Sequence, residues 1–356
     1  MFRPPLLLVL SVLTALPLGS RALDWKELPP IPDPNGFAGS FAGVSGGALI
    51  VAGGTNFPDK KPWEGGTKLW YDDVYVLPSP SGEWLKVGKL PVANGYGVSV
   101  TTDDGVIIIG GGNATDHFRD VTLLQWNGKT VNASPLPPLP APCAFMTGAI
   151  SFPDRLKPGL QQKQGATIFV CGGIEKPDAT KAMNSIWSLN LSDLDAGWKK
   201  HDPLPAAGRI LAAAGAHGGA FFLISGAALK PGNDGKPARE WLKDTWKFSP
   251  GSGWKRLADP PRVAVAAPSP LPHSGTQLLV IGGDDGALAN FEPKEKHPGF
   301  PRSVLCYDTK SDVWKKEGEV PFSLVTTTAV IWDERIVIPG GEARPGVRSP
   351  AVWSQR

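Results

Sequence analysis

The stretch Gly341-Glu342-Ala343-Arg344-Pro345-Gly346-Val347-Arg348 puts a carboxylate and a guanidinium in one short segment that Pro345 and Gly346 make tight. A carboxylate held this way can take a proton from a hydroxyl, a step worth typically ~10² to 10⁴ in rate. An Arg beside it suits a carboxylate ligand, because its planar fork bonds both oxygens. The same spacing also suits a structural loop salt bridge. Three further side chains are weaker candidates. Arg209, in GRILAAAG, begins an inner strand, where it either offers a second anion contact or sits solvated at a rim. Tyr96 and Asn56 can hydrogen-bond ligand hydroxyls, although Tyr96 can equally pack. His117, His201, His217, His273 and His297 are widely spaced without a ligand pattern, so no metal is expected.

These residues need a scaffold, and the repeats supply one. Six hydrophobic runs end in a small-residue doublet: LIVAGG (49–54), VIIIGGG (106–112), IFVCGG (168–173), FFLISG (221–226), LLVIGG (278–283) and IVIPGG (336–341). The interval of roughly 53 to 62 residues lies near the ~50-residue kelch unit and far from a helical solenoid's. The chain reads as all-β, a six-bladed kelch-type propeller. In the first complete unit, strands are expected over 37–45, 48–53, 73–77 and 83–89. The second is apolar on both faces because neighbouring blades cover it.

The fourth strand carries an aromatic at Trp84, and again at Trp198, Trp254 and Trp314; in the second unit Val131 replaces it and Trp126 sits one strand earlier. These rings read as packing between blades rather than ligand platforms. The last unit has room for one further strand, around 349–353. The segment LDWKELPP (23–30) has the Trp and Pro-Pro grammar of the missing fourth. The N-terminus is therefore expected to complete the sixth blade and close the ring, removing open sheet edges.

Arg3, the apolar residues 6–18 and Ser20-Arg21-Ala22 form a secretory signal over residues 1–22, leaving residues 23–356 as one propeller domain. The apolar core falls short of the ~20 residues that span a bilayer. A soluble periplasmic or secreted product is expected. The formal net charge is +3 and no Lys/Arg-rich run stands out, so nothing points to nucleic acid. With 43 Gly and 37 Pro the chain is turn-rich, while 41% hydrophobic residues suffice for a core. Three cysteines cannot make a disulfide framework. Cys143 and Cys171 would fall on neighbouring strands, which allows either one cross-strand bridge or buried free thiols. Asn113, Asn132 and Asn190 begin glycosylation sequons, which matter only in a eukaryotic secretory pathway.

The chain resembles the N-acetylneuraminate epimerase (sialic acid mutarotase) family of kelch-type six-bladed propellers. Three stretches carry the resemblance: GFAGSFAG (36–43) with the LIVAGG that follows, GYGVSV (95–100) with VIIIGGG, and GEARPGVR (341–348). In well-known bacterial members the last of these falls mid-chain. Here it comes at the end, as in a cyclically permuted branch. The resemblance implies Glu342 as proton acceptor and Arg348 as its partner in the same site, with no cofactor. Family members often carry an Arg shortly before the Tyr-Gly-Val-Ser stretch. This chain has Asn94 there, so no contact is carried over to that position.

The implied reaction suits the residues. Sialic acid cyclises as a hemiketal, and exchanging its anomers requires a proton to leave the anomeric hydroxyl and another to reach the ring oxygen. The implied partner is a small sugar acid. The competing reading is a non-catalytic kelch propeller that binds glycan or protein through its rim. The Ser-x-Asp-x-Gly-x-Thr-Trp boxes of sialidase propellers are absent, and no His pair with Tyr and Cys supports a copper radical oxidase.

Overall fold

A computed structural model describes residues 24–152, 165–232 and 237–355. The secretory signal expected at residues 1–22 lies outside them. Among the described residues there is no α-helix, and six four-stranded antiparallel sheets succeed one another along the chain. The first blade uses Phe41–Ser45, Ala48–Ala52, Asp73–Leu77 and Leu85–Lys89, each paired with the next. The sixth breaks chain order. Its strands Val330–Trp332, Arg335–Pro339 and Val352–Gln355 are completed on the outside by Trp25–Leu28 from the N-terminus. Ring closure therefore occurs where the Trp and Pro-Pro grammar placed it. Trp25 meets Phe322 edge-on at 5.0 Å, so the closing strand is held by a ring contact as well as a ladder.

The apolar runs pack as expected of strands covered on both faces. Six buried clusters each lie between two adjacent blades; one joins Leu49, Val51 and Leu77 of blade one to Val330, Val337 and Val352 of blade six. The fourth-strand tryptophans are inter-blade ties. Trp84 donates its indole N–H to the Pro29 carbonyl at 2.8 Å, Trp198 to Pro137 at 2.8 Å, Trp254 to Asp202 at 3.1 Å and Trp314 to Ala258 at 2.9 Å. Each acceptor lies just beyond the outer strand of the preceding blade.

The doublets have a conformational cause. Their first residue has φ between +56° and +74°, and their second between +88° and +113°. The first value is left-handed helical, which Ser225 adopts in blade four at φ +58°. The second lies outside what side chains with a Cβ tolerate, and glycine holds it in all six blades.

The innermost strand of blade one begins at Phe41 rather than 37 because the residues before it do something else. Gly39, Tyr96, Phe145, Leu211, Ala266 and Thr326, one per blade, all have φ between +54° and +67°. Each donates its backbone N–H to the carbonyl of its counterpart in the preceding blade, at 2.7–2.9 Å, and Gly39 closes the circuit onto Thr326. Five of the six carry a Cβ, at a cost of about 1–3 kcal/mol each. The ring of hydrogen bonds holds them there. This belt encircles the channel: the cavity at its level holds about 70 Å³, against about 270 Å³ on one side of it and about 550 Å³ on the other along the inner strands.

Two smaller expectations shift. Trp84 precedes its strand instead of lying in it, and the third strand of blade six is Val352–Gln355, because Ser349 is still bonded to Gly341. Cys143, Cys171 and Cys306 are free and buried. The Cys143 thiol lies 3.3 Å from the Gly172 carbonyl, so the free-thiol alternative is the one realised.

Candidate active site

The connections that follow the glycine doublets rise around the belt. In blade six the connection is a hairpin, Glu342–Arg344 paired with Val347–Arg348, rather than an open loop. Pairing in this hairpin sets Glu342 opposite Arg348. Arg348 Nη1 donates to Glu342 Oε1 at 2.6 Å, and the Gly346 backbone N–H donates to the same oxygen at 2.7 Å. A Cβ on Gly346, whose φ is +78°, would fall 2.8 Å from the Pro62 ring. Glycine is thus needed both to turn the hairpin and to let blade one pack on its tip.

Arg348 is nearly buried, its side chain 4% exposed and that of Glu342 18%. Its guanidinium lies 4.9 Å from the Phe57 ring centroid, and its Nε is buried without a partner. An unsatisfied buried N–H of a charged group is costly, and here it borders a cleft.

That cleft, of about 270 Å³, is walled by four blades: Phe57 and Lys68 from blade one, Arg239 from blade four, Asp284 and Phe300 from blade five, and Glu342 and Arg348 from blade six. Its floor is the belt. Tyr96, Phe145 and Leu211 line it with large side chains, whereas Ala266 and Thr326 contribute small ones. Tyr96 stacks on Phe145 at 4.6 Å and shares a 3.0 Å hydrogen bond with Thr55. Lys68 Nζ lies 5.2 Å from the Tyr96 ring centroid. Three cationic side chains, Lys68, Arg239 and Arg348, face two carboxylates, Asp284 and Glu342. The balance favours an anionic ligand that also offers hydroxyls.

Of the sequence-derived candidates, Glu342, Arg348 and Tyr96 converge on the cleft. Arg209 and Asn56 do not. Arg209 is 1% exposed and clamps Asp244 bidentately, at 2.5 Å from Nη1 and 2.9 Å from Nη2, with a further bond to the Ser225 carbonyl. It ties strand connections within blade four, neither facing a ligand nor solvated at a rim. Asn56 is fully buried; its amide donates to Asp33 Oδ1 and the Gly36 carbonyl, and its oxygen accepts the Tyr71 hydroxyl at 2.7 Å. No group is left for a sugar. Asn94 is likewise inward, donating to the Gly110 carbonyl.

Sequence reasoning missed Lys68, Arg239, Phe300 and Asp284. Arg239 rides on a second hairpin, Ala227–Pro231 with Pro237–Trp241, whose signal is the unusually long connection before Thr245. Asp284 directly follows its doublet and was visible, but nothing in the sequence distinguished it from Asp285.

A larger cavity, about 550 Å³ at the far end of the inner strands, is lined by hydroxyls, apolar groups, His217 and His273, with no carboxylate or guanidinium among its described lining residues. Its histidines can exchange protons, but no Lys or Arg lines it to hold a sugar acid's carboxylate.

Residues 11–133 match the family model described as N-acetylneuraminate epimerase. The N-acetylneuraminate epimerase of Haemophilus influenzae (strain 86-028NP) is 39% identical over 127 residues, covering 31% of this chain and 33% of that protein. The protein of the same name from Vibrio cholerae serotype O1 is 38% identical over 123 residues, 30% and 32% of the two chains. That from Salmonella enteritidis PT4 is 44% identical over 107 residues, 26% and 27%. The alignments thus span about a third or less of these relatives' length. The solved structure of YjhT superimposes with a TM-score of 0.63 at 17% identity, covering 90% of this chain and 95% of that one. The likeness of fold extends around the ring. The similarity drawn from sequence motifs is found again in the matched stretch, which includes Tyr96 but ends before Glu342 and Arg348.

Proposed function

We propose that this protein is a cofactor-independent sialic acid mutarotase, interconverting the α and β anomers of N-acetylneuraminate or a related keto-sugar. The observation that carries the reading is the Glu342–Arg348 pair, nearly buried at the edge of a cleft with cationic excess. A carboxylate that already accepts two N–H donors on Oε1 keeps its second oxygen for an incoming hydroxyl. Glu342 takes the proton from the anomeric hydroxyl as the ring bond breaks. The guanidinium holds the base in place, and the cationic wall holds the sugar's own carboxylate. Tyr96 and Phe145 supply an apolar face for the ring.

The sequence similarity to N-acetylneuraminate epimerases supports this substrate, and the positive lining supports an acid sugar. The n-region, apolar core and small-x-small site at residues 1–22 support export of the enzyme to the periplasm or medium. N-terminal sequencing of the exported product should begin near residue 23.

Saturation-transfer NMR on an equilibrium mixture of the anomers tests the reading. Catalytic amounts of protein should accelerate exchange, and Glu342→Gln should lower kcat by about 10²-fold or more. Exchange at the uncatalysed rate with wild-type protein would reject it.

A further inference from the structure

Anomer exchange needs two proton transfers, and Glu342 accounts for one. A second carboxyl occupies the same place one blade earlier. The residue just past each doublet pairs with the residue just before the belt: Thr55 with Ala38, Gly112 with Gly95, Ile174 with Ala144, Ala227 with Ile210, Asp284 with Val265 and Glu342 with Val325. Asp284 N donates to the Val265 carbonyl at 2.7 Å, and Glu342 N to the Val325 carbonyl at 2.8 Å. Two of these six equivalent positions carry an acid. They are adjacent, and they line the same cleft as the small belt residues Ala266 and Thr326.

Resting on the mutarotase reading above, we infer that Asp284 is the general acid of this site, donating a proton to the ring oxygen while Glu342 accepts one from the anomeric hydroxyl. The environments of the two acids differ in the sense this division requires. Glu342 Oε1 receives the Arg348 guanidinium and a backbone N–H. Asp284 is hydrogen-bonded by the Gly286 backbone N–H at 2.9 Å and, among the described residues, has no guanidinium bonded to it. Burial pushes its carboxyl up from the usual range; the Gly286 N–H, Arg239 and His297 oppose this, and Asp285 adds to it. Arg262 is turned onto the Gly282 carbonyl and Ser303, Lys68 and Glu342 share the cleft, and Arg302 and Glu319 line the neighbouring pocket with Asp284.

The protons balance. As Glu342 removes the hydroxyl proton, the carbonyl forms, the bond from the anomeric carbon to the ring oxygen breaks, and its electron pair leaves with the oxygen, which takes the proton of Asp284. The open keto acid turns its carbonyl about the adjoining carbon–carbon bond. On closure the freed hydroxyl attacks the other face and returns its proton to Asp284, while Glu342 reprotonates the carbonyl oxygen. Both acids end as they began, and nothing is oxidised or reduced.

The test is the pH dependence of anomer exchange in wild type, Asp284→Asn and Asp284→Glu. Asn retains an acceptor for the Gly286 N–H, and thermal melts report whether each variant is folded. Because the donor must be protonated, the wild-type rate should fall as pH rises through the Asp284 pKa. Asp284→Asn should lose about 10²-fold in kcat and, with it, this high-pH limb. Asp284→Glu should restore the limb and most of the rate. A folded Asp284→Asn protein that keeps kcat within about threefold of an active wild type, or that keeps the limb unchanged, overturns the assignment. Should Asp284→Asn fail to fold, Asp284→Glu decides: an unmoved limb overturns it, a shifted one supports it. An inactive wild type would instead reject the mutarotase reading itself.

Discussion

Across the hairpin of blade six, Arg348 Nη1 donates to Glu342 Oε1 at 2.6 Å while the same guanidinium lies over the Phe57 ring of blade one. The contact therefore both orients the proposed base and bridges the seam at which the ring closes. Such a group is doubly constrained: its charge is matched by one neighbour and its plane by another.

Replacing Arg348 separates these roles. Arg348→Lys retains charge but not the fork, and is expected to lower kcat by about 10-fold; Arg348→Met removes both and is expected to cost about 100-fold in kcat/KM, in line with charged hydrogen bonds of about 1.5–3 kcal/mol. Removing the partner of a nearly buried carboxylate should also lower stability by about 3 kcal/mol. Steady-state exchange kinetics and denaturant melts on the two variants read the two effects separately.

Arg209 should behave in the opposite way. Both terminal nitrogens of its guanidinium are engaged by Asp244, Ser225 and Ala207, and Asp244 also receives the Trp246 indole N–H. Arg209→Met strands a half-buried carboxylate and is expected to destabilise the fold by about 3–5 kcal/mol. In protein that remains folded below its lowered Tm, KM should match wild type. A selective rise in KM with an unchanged melt would instead return Arg209 to the substrate.

What could be read from the chain and what could not divide along a physical line. The doublets were legible because the second position demands a φ that glycine alone takes freely, and that demand recurs in every blade. The closing strand was legible because Trp25 and the prolines after it repeat the outer-strand pattern. The belt was not. Tyr96, Phe145 and Leu211 give no sign of a left-handed backbone, which hydrogen bonds from neighbouring blades impose. Arg209 failed for the same reason: its partner Asp244 lies 35 positions away, so the sequence shows an arginine near a strand start and not the ion pair that absorbs it. The pairing of Glu342 with Arg348 was legible because their hairpin is local.

The cysteines give a pH prediction. Burial pushes the Cys143 thiol far above its usual value, pushes Cys171 up to about 12 and raises Cys306. In the unfolded chain these thiols ionise near their ordinary value of 9.0. Below that pH both states hold the protons and stability does not depend on them. Above it the unfolded state alone releases protons, so stability is lost progressively as pH rises from about 9 towards 12. Folded protein at pH 8 should not react with a thiol reagent, and denatured protein should titrate three thiols. Fewer than three would reinstate a Cys143–Cys171 bridge.

The belt offers the last test, because it allows the cleft floor to be changed without altering the backbone. Ala266 has φ +56° and Leu211, its equivalent in blade four, has φ +54°. A leucine is thus already accommodated in this conformation, and Ala266→Leu should fold with a Tm close to wild type. Its added side chain would project into the cleft that Asp284 and Glu342 also line, taking space a sugar ring needs. Filling that space excludes ligand without touching either acid, so KM for N-acetylneuraminate should rise by about 10-fold or more, equivalent to at least about 1.4 kcal/mol of binding. Phe145→Ala should act on the other side, removing the ring stacked on Tyr96 and widening the floor. If Ala266→Leu melts normally and turns over with unchanged KM, the sugar does not sit on the belt, and the site must be sought elsewhere in the channel.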